Sequence, residues 1–426
     1  MNYDPPKGFR DFTPEITILR KEIFDKIEKI FQRFGYDSII TPIVEYWDIL
    51  KGKYGEEAES KLIWRFKLPF SEKEYALRYD HTVPLARFYS RFRPPLPFKR
   101  YVIDRVYRYD EPQKGRYREF WQADFDIIGS KNPEADAEVL NLINFTFKEF
   151  GFKNYKILLN NRRFLYFLFE KDLGLNSEVI KKVYIIIDKL DKIGIDNVEK
   201  ELINFGLNEN IVEKIIYYIS LEGEELLDYL YKYKELEEDL NNFNEILDLL
   251  EDKNKIKITL SLVRGLDYYT GTIFEVIIDN PKIGSLAGGG RYDNLIKLFT
   301  GTEVPAVGGS IGVERLIDSG IELGIFKLNR KSLVDIGVVY VGNTFKKAWE
   351  ISNKLRDLGF NVYIDLMRRD FNKQVNYLVN KGVRYLVIVG EKDLLHKKVT
   401  IQDRLTKEKY LLDLDNLEEI NKIIKK

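Results

Sequence analysis

The chain has 426 residues, which is enough for two or three domains. Lys+Arg and Asp+Glu each total 68, so the net charge is zero, which excludes an overall basic coat but permits local patches that bind nucleic acid. The absence of cysteine excludes disulfides, thiolate nucleophiles and cysteine-ligated metal sites. The chain has two histidines, His81 and His396, which lie far apart in the sequence and therefore argue against a histidine-rich metal site or a Ser-His-Asp triad.

The first predicted element is a helix. Thr13 suits the N-cap and Pro14 the first helical position, apolar residues then recur at helical spacing, and Gly35 ends the pattern. The next stretch, DSIITPIVE (37–45), predicts a short strand that Pro42 interrupts, at a sheet edge or an interface.

The middle of the chain predicts a sheet followed by a block of helices. Strands are predicted at 75–80, 100–109 and 118–129, with a helix between Glu134 and Gly151. This sheet is expected to be antiparallel and built from hairpins. From about 165 to 256, Lys/Glu-rich amphipathic segments predict a helical insertion, because strand-like sequence resumes after them.

The C-terminal part has a different pattern. After a boundary near 326–334, strands and helices alternate as in an α/β domain. The prediction is therefore an α+β domain at 1–325 and a second domain at 333–426. No apolar run reaches the roughly 20 residues that span a bilayer, and the N-terminal sequence is not typical of a signal peptide, so a cytoplasmic protein is expected.

Residues 87–118 are locally basic, with ten basic and three acidic residues. At their centre, RYDEPQKGRYREF puts Arg108 on one strand of a hairpin and Phe120 on the returning strand. An arginine and an aromatic ring on two arms of a hairpin can clamp a nucleotide, the guanidinium binding phosphate and the ring stacking on the base. The alternative is an exposed hairpin whose charges are solvated.

Two glycine-rich stretches, AGGGRYDNL (287–295) and VPAVGGSIGVERL (304–316), each run into a helical pattern. Glycines at a helix start allow a ligand to approach the backbone, and Arg315 sits where a first-turn arginine reaches a phosphate. Neither stretch matches a P-loop or a dinucleotide fingerprint. Tight packing of helix against sheet is the alternative explanation.

Several polar residues occupy positions that suit a ligand. Asp80 and Thr82 follow a strand and could hold an ammonium group, although a helix cap is the favoured interpretation of that stretch alone. Gln122 and Asp126 lie four apart on a strand and so point to the same face. In LVRGLDYYTGTIFEV (262–276), Arg264 stands among apolar residues, where a charge needs a partner, either Asp267 or a ligand.

Together, these segments resemble the class II aminoacyl-tRNA synthetases, and specifically the histidyl-tRNA synthetases. PPKGFRDFTPE resembles the opening of that family. DSIITPIVE, RVYRYDEPQKGRYREFWQADFDIIG and VGGSIGVERL resemble motifs 1, 2 and 3, and LVRGLDYYTGTIFEV and AGGGRYDNL resemble its two histidine-specific motifs. The resemblance implies an antiparallel sheet flanked by helices, a helical insertion and a C-terminal anticodon-binding domain.

The resemblance also implies roles for individual residues. Catalysis would depend on Arg264 and Arg108, which flank the α-phosphate, and ATP would enter as its Mg2+ complex, with no structural metal in the protein. ATP would be bound by Arg108, Arg116, Phe120 and Arg315. L-Histidine would be bound by Asp80, His81, Thr82, Arg108, Gln122, Asp126, Arg264, Tyr268 and Tyr269, and His81 would have no catalytic role.

The implied reaction forms histidyl-adenylate and then transfers histidine to the 3′-terminal adenosine of tRNA(His). Gln113 and Lys114 would contact the acceptor end, and motif 1 would form a homodimer. Glu111, Asp80 and Asp126 depart from the residues of many bacterial members, which indicates an archaeal- or eukaryote-like version.

Other functions fit only part of this sequence. A non-catalytic regulatory subunit of ATP phosphoribosyltransferase resembles the same core and binds histidine, but typically lacks the terminal domain and key nucleotide-binding residues. This chain keeps Arg108, Arg264 and Arg315 and has a full terminal domain. Synthetases for other amino acids lack RGLDYYTGTIFE.

Overall fold

A computed structural model of the protein describes residues 3–55, 58–263 and 268–424. The chain divides into two units, of which the first contains Met1–Asp11 with Phe24–Phe326 and the second Phe12–Ile23 with Lys327–Lys426. The first helix, α1 (Pro14–Arg33), begins at the predicted proline and ends just before Gly35. Its residues belong to the second unit up to Ile23 and to the first from Phe24 onward.

The first unit is built on strands from its whole length. These strands are β1 (Asp37–Ser38), β2 (Val44–Tyr46), β3 (Arg65–Lys67), β4 (Glu74–Leu77), β5 (Phe98–Tyr107), β6 (Glu119–Ile128), β7 (Tyr155–Asn161), β8 (Ile256–Ile258), β9 (Thr272–Ile278), β10 (Ala287–Arg291) and β11 (Ala306–Gly312). The helices after α1 are α2 (Trp47–Leu50), α3 (Thr82–Phe92), α4 (Pro133–Phe150), α5 (Arg162–Phe167), α6 (Ser177–Ile187), α7 (Leu190–Ile193), α8 (Ile195–Asn204), α9 (Glu209–Ser220), α10 (Gly223–Leu230), α11 (Glu237–Asp248), α12 (Lys297–Thr300) and α13 (Val313–Glu322).

Among the described residues, eight of these strands form one sheet in the order β1-β5-β6-β11-β10-β9-β7-β8. The pairs from β5 through β7 are antiparallel, and only the outer pairs β1/β5 and β7/β8 are parallel. Helices α4 and α13 pack against this sheet. The predicted α+β fold with an antiparallel sheet flanked by helices is therefore confirmed.

The stretch 37–45 differs from the single strand predicted for it. It forms two strands on either side of Pro42, β1 in the large sheet and β2 in a second sheet of order β2-β4-β3. Proline lacks the N–H that a continuous ladder needs, so the chain changes sheets there. Helices α5–α11 lie between β7 and β8, in the region where the helical insertion is predicted.

The glycine-rich stretches form β10 and β11, the paired strands at the centre of the large sheet, and helices begin only after them. Their glycines leave no room for side chains: a Cβ on Gly289 would lie 2.6 Å from Gly309 Cα, and one on Gly308 would lie 2.6 Å from the Phe125 carbonyl oxygen and overlap Asp126 Oδ1. Packing within the sheet, more than backbone freedom, therefore requires these glycines.

The second unit has its own sheet, in the order β13-β12-β14-β15-β16. Strand β12 is parallel to β13 and β14, and β15 and β16 extend the sheet as an antiparallel hairpin. The strands are β12 (Ile336–Tyr340), β13 (Val362–Ile364), β14 (Tyr385–Val389), β15 (Lys398–Asp403) and β16 (Lys409–Asp413), and the helices are α14 (Phe345–Asp357), α15 (Phe371–Asn380), α16 (Glu391–Leu395) and α17 (Ile420–Ile423). In the described part of the chain, no helix has the length and apolar character needed to cross a membrane.

The glycine packing yields a paired prediction. Gly308→Ala is expected to lower the free energy of unfolding by about 1–3 kcal/mol, because the methyl group meets Asp126 and the β6 backbone. Gly288→Ala, whose Cβ would lie 3.4 Å or more from its neighbours, is the matched control and should change stability by less than about 1 kcal/mol. Urea unfolding of the two variants checks this, and equal losses would contradict the packing argument.

Candidate active site

A cavity of about 670 Å³ lies in the first unit, and residues of β6, β9, β10 and β11 line it. Most of the residues predicted to bind ATP or histidine line this one cavity: Asp80, Thr82, Arg108, Arg116, Phe120, Gln122, Asp126, Tyr268, Tyr269 and Arg315. They come from segments as far apart in sequence as α3 and α13, so the fold brings them together.

Four predicted site residues, His81, Gln113, Lys114 and Arg264, are not in this set. Arg264 lies outside the described residues, as does Asp267. Gln113 and Lys114 are exposed in the β5–β6 hairpin loop, where the Lys114 ammonium pairs with Glu322.

His81 is also absent from the residues that line the cavity. Its side chain is buried, and Nε2 lies 3.2 Å from the Asp104 carbonyl oxygen. Burial, followed by the charges of Arg78 and Arg100, lowers the pKa of His81 well below its usual value, so the ring is neutral. The geometry supports a packing role for His81 beside the pocket.

One end of the cavity is basic and aromatic. The Arg108 guanidinium carbon lies 4.3 Å from the ring centroid of Tyr79 and 5.2 Å from that of Phe120, and Nε donates a hydrogen bond to the Tyr79 carbonyl at 3.1 Å. Arg108 follows β5 and Phe120 lies on β6, and the two strands are paired. Arg108 and Phe120 are therefore neighbours on the two arms of the hairpin, with the guanidinium over the ring.

Arg315, in the first turn of α13, belongs to the same end of the cavity. Its Nε donates to the Gly115 carbonyl at 2.8 Å and Nη1 donates to the Ser285 carbonyl at 2.7 Å. These bonds fix the guanidinium between the β5–β6 hairpin loop and the segment before β10. A fixed arginine of this kind can bind phosphate oxygens without a large loss of side-chain entropy.

The other end is acidic and lined by tyrosines. Asp80 Oδ1 accepts hydrogen bonds from the Tyr54 hydroxyl at 2.7 Å and from the Val83 N–H at 3.1 Å, and the Tyr268 hydroxyl lies 3.4 Å from Oδ2. The bond from Val83 caps the start of α3. Asp80 therefore caps the helix, and its carboxylate also lines the cavity.

Asp126 lies deeper, with both carboxylate oxygens engaged. Tyr292 donates a hydrogen bond to Oδ1, and Arg100 Nη2 lies 2.6 Å from Oδ2. Burial raises the pKa of Asp126, and the charge of Arg100 acts in the opposite direction. Arg100 is fully buried and is directly opposite Asp126 on the neighbouring strand.

Known proteins share both units of this chain. A family profile described as histidyl-tRNA synthetase matches residues 8–316, and one described as anticodon binding domain matches residues 335–424. The chain belongs to the histidyl-tRNA synthetase family.

Relatives of known sequence and structure agree with this membership. A histidine–tRNA ligase of Nanoarchaeum equitans is 55% identical over 99% of both chains, and one of Aeropyrum pernix is 48% identical over 91% of both. A crystal structure titled histidyl-tRNA synthetase from Nostoc sp. superposes with a TM-score of 0.83 at 29% identity, covering 99% of this chain and 100% of that one. The prediction of an archaeal-like version of the family is confirmed by the archaeal relatives.

For this histidyl-tRNA synthetase family member, sequence reasoning missed four residues of the acidic end: Tyr54, Arg100, Asp124 and Tyr292. Only Asp124 had a usable signal, since it lies between Gln122 and Asp126 in the period-two pattern of β6. Tyr54 and Tyr292 approach from distant segments, and Arg100 is hidden within a run of basic residues. No local pattern identifies them.

Asp124 lines the cavity and is buried. Burial raises the pKa of its carboxyl to about 7, the charge of Arg100 lowers it, and Asp126 raises it further. A carboxyl in this environment is partly protonated near neutral pH, unlike an ordinary aspartate.

Asp124 therefore predicts a dependence of stability on pH. Because the folded protein binds this proton more tightly than the unfolded chain, the free energy of unfolding falls as pH rises from about 4 to about 7, by at most about 1.4 kcal/mol per pH unit from this group. The free energy of unfolding of wild type and of Asp124→Asn should be measured with urea across this pH range. The difference between them should shift in favour of the variant as pH rises, and it should stop changing above the folded-state pKa of Asp124. If the free energy of unfolding of the two proteins changed with pH in parallel, the raised pKa of Asp124 would be contradicted.

Proposed function

We propose that this protein ligates L-histidine to tRNA(His), first forming histidyl-adenylate from histidine and ATP. The observation that supports the proposal is that one cavity combines a basic, aromatic end around Arg108 with an acidic, tyrosine-lined end around Asp80. A nucleotide with phosphates fits the first end, and an amino acid that carries an ammonium and an imidazole fits the second. Membership of the histidyl-tRNA synthetase family supports the same conclusion.

At the basic end, Phe120 stacks on adenine and Arg108 binds the α-phosphate together with the histidine carboxylate. Arg315 and Arg116 bind the more distant phosphates. The bonds that fix Arg315 to Gly115 and Ser285 support this role, because the guanidinium is already oriented before ATP arrives. Mg2+ enters with the phosphates of ATP as part of the substrate.

At the acidic end, Asp80, Thr82 and Gln122 accept hydrogen bonds from the α-ammonium group. Asp126 lies at the imidazole, and Tyr268 and Tyr269 form the walls around the ring. The two tyrosine rings pack edge to face at 5.0 Å, which supports a rigid pocket of fixed width.

In the first step, a histidine carboxylate oxygen attacks the α-phosphorus, an O–P bond forms, and pyrophosphate leaves. Arg108 and Arg264 stabilise the negative charge that develops on the phosphoryl oxygens. In the second step, a hydroxyl of the 3′-terminal ribose attacks the histidyl carbonyl carbon and AMP leaves. The protein contributes position and charge, and no covalent enzyme intermediate is required.

The remaining partners belong to the same proposal. Gln113 and Lys114 contact the acceptor end of tRNA(His), and the anticodon is bound within 333–426. The protein forms a homodimer through the motif 1 region, in which Ile40 is 83% exposed. A cytoplasmic location fits this function.

The regulatory-subunit alternative has less support. The Nanoarchaeum equitans relative, named a histidine–tRNA ligase, matches over 99% of both chains, and this chain has the terminal anticodon binding domain. Nothing in the cavity favours a purely regulatory role, because the nucleotide end is lined by Arg108, Phe120 and Arg315.

The proposal predicts ATP–pyrophosphate exchange that depends on L-histidine. Purified protein with ATP, Mg2+ and labelled pyrophosphate should incorporate label into ATP when histidine is added, and proline, threonine and glycine should give background. Exchange with another amino acid and none with histidine would contradict the proposed substrate.

Arg264→Lys tests the charge-stabilising role. An ammonium cannot reproduce the planar fork of a guanidinium, so the adenylation rate should fall by more than about tenfold while histidine binding weakens much less. Single-turnover adenylation and equilibrium binding measure the two quantities. Equal losses in both would indicate that Arg264 acts on the ground state or on the fold.

A further inference from the structure

Tyr54 is a buried tyrosine that does not line the cavity but contacts a residue that does. Its hydroxyl donates a hydrogen bond to Asp80 Oδ1 at 2.7 Å, and the residue is 5% exposed. Asp80 lines the cavity, whereas Tyr54 is not among the lining residues. Any effect of the Tyr54 hydroxyl on a bound ligand therefore acts through Asp80.

The hydrogen bonds to Asp80 are divided unequally between its two carboxylate oxygens. Oδ1 accepts from the Tyr54 hydroxyl and, at 3.1 Å, from the Val83 N–H. Oδ2 lies 3.4 Å from the Tyr268 hydroxyl, which is a long hydrogen bond. A carboxylate oxygen accepts about two hydrogen bonds, so the protein itself saturates Oδ1. Oδ2 is the oxygen with capacity to accept from a ligand in the cavity.

Packing and the backbone together fix the Tyr54 hydroxyl. The ring belongs to a cluster of buried apolar residues, and its centroid lies 4.9 Å from that of Tyr79. Glu59 Oε1 accepts the backbone N–H groups of Lys53 at 3.0 Å and of Tyr54 at 3.1 Å. Because the ring and the backbone are both held, the hydroxyl is aimed at Asp80 without ordering any further side chain when a ligand binds.

Packing alone does not require this hydroxyl, because a phenylalanine ring would fill the same space in the cluster. The hydroxyl instead acts on the charge of Asp80. Burial raises the pKa of Asp80, and the hydrogen bond from Tyr54, followed by the bond from Val83 and the charge of Arg108, opposes that rise. Tyr54 therefore favours the ionised carboxylate, which is the form that binds an ammonium group.

We propose that Tyr54 is a positioning residue that holds Asp80 so that Oδ2 faces the α-ammonium group of L-histidine. This inference rests on the proposed function, in which Asp80 binds that group. With the Tyr54 and Val83 bonds both on Oδ1, a rotation that exchanged the two oxygens would break both bonds. Tyr54 thus acts on the ammonium of the substrate and leaves the binding of the imidazole and of the nucleotide unchanged.

The test is Tyr54→Phe, which removes the hydroxyl and keeps the ring, with three ligands that separate the parts of the substrate. L-Histidine has the ammonium, the ring and the carboxylate. L-Histidinol lacks the carboxylate, and 3-(imidazol-4-yl)propionate lacks the ammonium. The variant should bind histidine and histidinol roughly tenfold more weakly, the size expected when a hydrogen bond to a charged group is lost, and should bind the propionate with nearly unchanged affinity.

Two measurements give these affinities. Calorimetry measures the binding of histidine and histidinol, and inhibition of histidine-dependent pyrophosphate exchange measures the binding of the propionate. In the same exchange assay, Tyr54→Phe should raise the KM for histidine and leave the KM for ATP unchanged. A purely structural role of Tyr54 would not produce a loss that is confined to ligands with an ammonium group.

A double-mutant cycle tests whether Tyr54 acts through Asp80. In an Asp80→Ala background the carboxylate is absent, so adding Tyr54→Phe should weaken histidine binding no further. An additional loss in this background, equal to the loss in the wild-type background, would show that Tyr54 acts by another route and would overturn the proposal.

A matched control and the remaining outcomes complete the test. Tyr155 is also buried and donates to a buried side-chain oxygen, that of Asn144, and neither residue is among those that line the cavity, so Tyr155→Phe should change no affinity. Unchanged ATP binding shows that each variant is folded. Equal weakening of all three ligands, or of none, overturns the role of Tyr54, while exchange with histidine by the wild type leaves the proposed function intact. Wild type that neither binds nor activates histidine overturns both.

Discussion

The ion pair between Arg100 and Asp126 is the interaction on which the site depends. Arg100 lies opposite Asp126 in the β5–β6 ladder and is fully buried, with Nη2 2.6 Å from Oδ2. The same nitrogen donates to the His81 carbonyl at 3.3 Å, which ties the sheet to the start of α3. Without this guanidinium, the buried carboxylates of Asp124 and Asp126 would lose the positive charge that opposes their protonation, and removing one partner of such a pair typically costs about 3–5 kcal/mol.

This buried cation explains how an acidic pocket persists inside a sheet. The carboxylates of Asp124 and Asp126 are on one face of β6 because strand residues two apart point the same way. Their mutual repulsion and burial favour protonation, and Arg100 opposes both effects. The pocket can therefore accept nitrogen-bearing groups while the free protein remains stable.

The glycines of β10 and β11 have no side chains and so leave room for the charged side chains of β6. Gly308 faces Asp126 so closely that any side chain would displace the carboxylate, and Gly288 continues the row from Asp124 and Ser310. In the same cavity, Arg108, Phe120 and Arg315 are held by the β5–β6 hairpin and by α13. One cavity thus holds basic and acidic residues beside one another, as a reaction between an amino acid and a nucleotide requires.

The sequence by itself predicted many of the elements and ten of the residues that line the cavity. Proline and glycine marked the ends of α1, and period-two alternation placed Gln122 and Asp126 on one face. The order of six motifs indicated the family. These signals are local, because caps, turns and strand alternation are fixed by neighbouring residues.

Only the tertiary structure decided how those residues are held. Tyr292 reaches Asp126 across 166 positions of sequence, and Tyr54 reaches Asp80 across 26, so no local pattern could reveal either bond. In the structure, His81 is not among the residues that line the cavity, and the glycine-rich stretches are paired central strands. The physical reason is that burial, counter-charges and close backbone approach arise only when distant segments pack together.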